Sequence, residues 1–106
     1  MKKHNLHDLK YNIADYISPR LKEFRDLIDQ KKILSVPEFL DSNIDAENLT
    51  FEDKEKIWSQ IIEKMIFPFD YYSNSDKYEH LNSDEINLKF KEGMDLFAKH
   101  FINLWI

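Results

Sequence analysis

A single glycine, Gly93, in 106 residues is the feature that most constrains this chain. Tight hairpins need backbone at positive φ, which glycine adopts at little cost, so one glycine leaves few places to turn an antiparallel sheet. Helices have no such need. The same scarcity excludes the glycine-rich loops that cradle nucleotide phosphates. The absence of cysteine excludes a disulfide scaffold, a thiolate zinc site and a cysteine nucleophile. The expectation is an all-α protein.

The spacing of apolar residues agrees. Leu6, Leu9, Ile13, Tyr16 and Ile17 recur at intervals of three and four, and Leu21, Phe24, Leu27 and Ile28 continue the stripe. Ser18-Pro19 lies between the two groups, and because serine caps helices and proline suits a first turn, the reading favours two helices meeting there over one kinked helix. Ser35 to Glu38 reads S-x-x-E, with Leu34 and Phe39 in staple positions, predicting a short helix to about Leu40; Asp41 to Asn48 reads as a connection. Thr50 then offers a cap with Glu52 and Asp53 in the first turn of a helix carrying Ile57, Trp58, Ile61, Ile62, Met65 and Ile66. Pro68 is expected to stop it.

From Phe67 to Glu79 the pattern is irregular, and the alternation of Phe67, Phe69 and Tyr71 allows a short extended piece within a long connecting loop near residues 67–82. Asn82-x-x-Glu85 opens a final helix whose stripe runs through Ile86, Phe90, Met94, Phe97 and Phe101 towards Trp105. Gly93 inside it costs about 1 kcal/mol relative to alanine, which a close helix crossing would justify. The whole is read as one domain, residues 1–106, of four or five helices in an antiparallel or orthogonal bundle. An apolar fraction of 42% with 15 aromatic residues is enough for a core. No run is long and apolar enough for a membrane span, and no signal-like segment opens the chain, so the expected location is the cytoplasm.

Charge is the most informative functional signal. The formal balance is −5, but residues 1–35 carry eight bases against five acids, whereas residues 36–106 carry seven against fifteen. Between Val36 and Glu55 there are seven acids and one base, Lys54. Such a segment repels nucleic acid and steers a basic protein towards itself. Asp41, Asp45, Glu47, Glu52, Asp53 and Glu55 are therefore candidate contacts. Asp70, Tyr71, Tyr72 and Tyr78 join them, because tyrosine supplies large, rather rigid contact area at interfaces.

Four histidines add little. His4 and His7 share a helix face but lack further ligands, so no metal is expected, and neither His80 nor His100 stands in a recognisable catalytic spacing. No cofactor is implied. The leading expectation is a stoichiometric inhibitor of the immunity-protein or antitoxin type, neutralising a basic toxin nuclease through its acidic surface. A non-catalytic helical interaction or regulatory module, homodimeric in one form, is the alternative, docking through the last helix with Phe90, Phe97, Phe101, Trp105 and Ile106. A small enzyme or ligand-binding bundle comes third, and would need a cavity where a histidine meets a carboxylate.

Overall fold

The structure, a computed structural model, describes residues 8–33, 36–37 and 49–104. Among them the chain forms three α-helices: α1, Leu9–Asp29; α2, Phe51–Ser73; and α3, Ser83–His100. Short 3₁₀ turns follow α2 (Ser75–Tyr78) and α3 (Phe101–Asn103). The all-helical expectation stands, with three helices among the described residues in place of four or five. The S-x-x-E segment and the Asp41 to Asn48 connection fall outside the described residues, except for Val36 and Pro37, which are not helical.

Helix α1 runs unbroken across Pro19, which corrects the expected break at Ser18-Pro19. Proline removes an N–H and costs about 3 kcal/mol inside a helix. The buried face of α1 decides the outcome, because Ala14, Ser18, Leu21 and Ile28 lie on both sides of Pro19 and pack as one stripe, while Pro19 itself points outwards. Burying several apolar side chains at about 1.5–3 kcal/mol each outweighs one lost backbone bond.

Pro68 does not stop α2 either, and the long loop expected near residues 67–82 is reduced to the residues between Ser73 and Ser83, with a 3₁₀ turn inside it. Phe67 and Tyr71 are therefore one helical turn apart, with ring centroids 5.9 Å apart, and no extended segment forms. The reason lies at Gly93. A Cβ added there would sit 2.5 Å from the Lys64 carbonyl oxygen and 2.5 Å from Cδ and Cγ of Pro68. Lys64 is four residues before Pro68, so its carbonyl is the one that proline deprives of an intrahelical donor. The bare Cα of Gly93 seats against both, and α3 covers the place where α2 would otherwise expose an unpaired oxygen.

Helix α2 is central, packing against both α1 and α3. The core consists of Ala14, Leu21, Ile28, Ile33, Trp58, Ile62, Met65, Ile66 and Phe69. Edge-to-face ring pairs tie the three helices together: Tyr11 to Tyr72 at 5.7 Å, Tyr72 to Phe90 at 6.0 Å, and Phe69 to Phe97 at 5.0 Å. No helix among the described residues is long and apolar enough to cross a membrane.

Candidate functional site

The start of α2 is shaped by its cap. Thr50 Oγ1 accepts from the Asp53 backbone N–H at 3.1 Å, while Asp53 Oδ2 accepts from the Thr50 backbone N–H at 3.1 Å. This reciprocal box commits Asp53 to the helix terminus. The Thr50 backbone N–H, then its side chain, hold the Asp53 carboxyl below its ordinary range. One turn along, α2 approaches the end of α1, where Lys31 adopts φ 59°. Lys31 N–H donates to the Ile28 carbonyl at 3.0 Å and Lys32 N–H to the Leu27 carbonyl at 2.9 Å. This is the double bond of a Schellman cap, with lysine at the left-handed position that glycine usually takes. The conformation carries the Lys31 ammonium onto Glu52, and that hydrogen-bonded ion pair lowers the Glu52 pKa and raises that of Lys31.

Behind this pair lies a pocket of about 230 Å³. Ile28, Asp29, Lys31, Glu52, Glu55 and Lys56 line it. Asp29 accepts from Ser59 Oγ at 2.7 Å. Glu55 is different: the residue is only 6% exposed, and its Oε2 has no hydrogen-bond partner. A buried polar atom without a partner forfeits its hydration with nothing in return, at a cost of about 1–3 kcal/mol. Glu55 thus lines the pocket while keeping one buried acceptor unfilled.

Asp70 shows the opposite arrangement. It is fully buried on α2, yet its Oδ1 accepts from Ser18 Oγ (3.0 Å), Lys22 Nζ (2.7 Å) and Asn74 Nδ2 (2.7 Å). Its Oδ2 accepts from Lys77 Nζ at 3.1 Å and from the Tyr78 hydroxyl. Burial by itself would raise the carboxyl pKa, but the hydrogen bonds from Lys22, Tyr78, Asn74 and Lys77 together outweigh it and leave Asp70 well below the ordinary range. Burial, then the hydrogen bond to Asp70, pushes the Tyr78 hydroxyl well above its ordinary value. The clasp joins α1, the end of α2 and the first 3₁₀ turn.

The predicted contact residues thus separate. Asp41, Asp45 and Glu47 lie outside the described residues. Glu52 is exposed but ion-paired, Asp53 is bound into the cap, and Glu55 is buried. Asp70 is no surface contact at all, since the clasp encloses it. Tyr71, Tyr72 and Tyr78 are half-buried and pack on one another and on Phe67, with Phe67 to Tyr78 at 5.1 Å and Tyr71 to Tyr72 at 5.2 Å. Tyr71 and Tyr72 stand on α2 and Tyr78 in the 3₁₀ turn after it, and the three rings form one cluster. His4 and His7 lie outside the described residues, and neither His80 nor His100 lines the Glu55 pocket or the cavity beside Asp70. His100 is buried against Trp58, ring centroids 5.8 Å apart, and desolvation, with a smaller contribution from Lys99, lowers its pKa. Among the described residues no group of three or more acidic or histidine side chains could hold a metal ion.

Sequence reasoning missed Ser18, Lys22, Lys31, Asn74 and Lys77. Lys22 and Asp70 are 48 positions apart, and no periodicity links them. Comparison with protein-family models, with curated proteins and with solved structures finds no match for this chain.

Proposed function

We propose that this protein is a stoichiometric binding protein for a basic protein partner, of the immunity-protein or antitoxin type, and that the Glu55 pocket receives a lysine or arginine side chain from that partner. The observation that carries this reading is the buried, unpartnered Oε2 of Glu55 beside a pocket lined by three carboxylates and two lysines. A guanidinium offers several N–H donors in a fixed fork, and burying it against an unfilled carboxylate oxygen gives a charge-assisted bond without further desolvation of that oxygen. The acidic run from Val36 to Glu55 would speed the encounter, with the seated side chain acting as the anchor. The contact set is accordingly narrowed: Glu52 and Glu55 act directly, while Asp53 supports the helix that presents them.

The test is affinity capture from native lysate at low and high salt, with Glu52→Lys and Glu55→Gln as variants. Recovery of one basic protein in about equal amount by the wild-type chain, associating more slowly as salt rises and lost with either variant, is the expected result. Recovery of no partner at either salt, or equal recovery by Glu55→Gln, rejects the reading.

One observation favours a second reading, a homodimeric helical module. Leu9, Ile13 and Tyr16 are 47%, 44% and 62% exposed at spacings of four and three along α1, which places them on one face. This face on the first helix adds to the apolar surface expected at the last one, where Phe101 is 64% exposed and Phe90 and Phe97 are half-buried, while Trp105 and Ile106 lie outside the described residues. Sedimentation equilibrium tests it: a dimer dissociated by Tyr16→Glu supports it, and a monomer at all concentrations rejects it.

A further inference from the structure

A pocket with the opposite charge lies beside Asp70. It is a cavity of about 350 Å³ where α1, α2, the first 3₁₀ turn and α3 converge. Five cationic side chains line it: Lys22 and Arg25 from α1, Lys64 from α2, Lys77 from the turn and Lys89 from α3. Only three acids stand among them. Asp70 answers both Lys22 and Lys77, at 2.7 and 3.1 Å, so a single buried charge holds two ammonium groups. Glu63 lies 3.6 Å from Arg25, and Glu92 lies 3.3 Å from Lys64. Lys89 has its Nζ 5.9 Å from the centre of the Phe67 ring, and no carboxylate among the described residues forms an ion pair with it. Five positive charges against three leave an excess of two in the lining, reduced to one by Asp26, which lies 3.7 Å from Arg25, in a chain whose overall balance is −5.

Gathering like charges is unfavourable unless something offsets it, and here the clasp supplies the holding force. Asp70 is completely buried and fixes Lys22 and Lys77 at one side of the cavity without cancelling both. The two lysines are thus preorganised, so a ligand need not order them. Phe67 and Tyr78, ring centroids 5.1 Å apart, give the cavity an aromatic wall. A volume of this size suits a small molecule. From the charge excess, the aromatic wall and the volume we infer that this cavity is a binding site for a small organic phosphate monoester. Its dianionic group would lie among Lys22, Lys77, Arg25 and Lys89, and its organic part against Phe67. The site is separate from the Glu55 pocket, shares no residue with it, and does not depend on the partner proposed above.

Phenyl phosphate and inorganic phosphate serve as probes, titrated into the full chain at constant ionic strength and followed by amide NMR shifts and by thermal midpoint. Saturable shifts confined to residues around Phe67 are expected, with phenyl phosphate binding more tightly than inorganic phosphate. Lys89→Gln leaves the Asp70 clasp intact, so it should fold normally and weaken phenyl phosphate about tenfold, the size of one lost charge-assisted contact. Lys91→Gln, which removes a lysine paired with Asp95 outside the cavity, should leave the affinity unchanged. Absence of saturation at millimolar phenyl phosphate, or equal weakening by Lys89→Gln and Lys91→Gln, overturns the proposal.

Discussion

Glu55 and Asp70 are carboxylates on the same helix, both buried, and they differ in almost every other respect. Asp70 accepts five hydrogen bonds, two of them from lysines, whereas Glu55 keeps one oxygen without a partner. Burial penalises both; only Asp70 recovers the loss inside the molecule. A filled buried carboxylate organises the fold around it, and an unfilled one is a standing cost that binding can relieve. On the proposed reading, the two ends of α2 divide the labour between architecture and recognition.

The comparison is broken most forcefully at Asp70. Asp70→Asn removes the charge that holds Lys22 and Lys77, and about 3–5 kcal/mol of stability should be lost, read as a fall in the urea midpoint. Retention of wild-type stability would make the clasp ornamental. The next effect is at the crossing that seats this end of the helix. Gly93→Ala gains about 1 kcal/mol of helix propensity but drives a methyl into the Lys64 carbonyl and the Pro68 ring, so a net loss of about 1–3 kcal/mol is expected. Hydrogen exchange should localise the loosening to residues around Asp70 and leave the Thr50 cap protected.

Acid separates the two ends without mutation. His100 packs on Trp58, one turn from Glu55, and its pKa in the folded state is lowered from the ordinary 6.5. The unfolded chain thus takes up the proton first, so the stability present above pH 6.5 falls as pH drops below it, by at most about 1.4 kcal/mol per pH unit. Asp70, lowered from 3.8, keeps its full contribution above that value and loses it only in more acidic solution. Urea midpoints from pH 8 to 3 should show two separate declines, the second shared by Asp70 with Glu52 and Asp53 and reduced in Asp70→Asn, and His100→Gln should remove the first alone. The smallest effect belongs to Lys31. Lys31→Gly relieves the left-handed backbone strain, so the thermal midpoint should rise slightly, and with Glu52 freed, a basic partner should bind more tightly.

The helical class was legible because one glycine and a clear three-four spacing both point the same way. So were the Thr50 and Asn82 caps, which are local: Asn82 Oδ1 accepts from the Glu85 N–H at 2.9 Å, as its spacing implies. The breaks expected at Pro19 and Pro68 failed for a different reason. Each proline has a real local cost, and each is overridden by contacts with residues distant in sequence, most clearly by Gly93 beneath Pro68. The glycine and the proline were each noticed, but nothing in a linear chain shows that they meet. The sites followed the same rule. The sequence marks Glu55 by its charge and hides its burial, and it presents Asp70 as a surface contact because the lysines that enclose it come from another helix and a turn.

The division between the two carboxylates is tested most directly by making one substitution at both positions. Glu55→Met removes an unfilled buried acceptor and keeps the volume, so unfolding in urea should require more denaturant, by about 1 kcal/mol of added stability. Asp70→Met strips five donors of their acceptor and should require less, by about 3–5 kcal/mol. Opposite signs are the result this account predicts; a loss of stability at both positions would contradict it, because Glu55 would then be as fully used by the fold as Asp70.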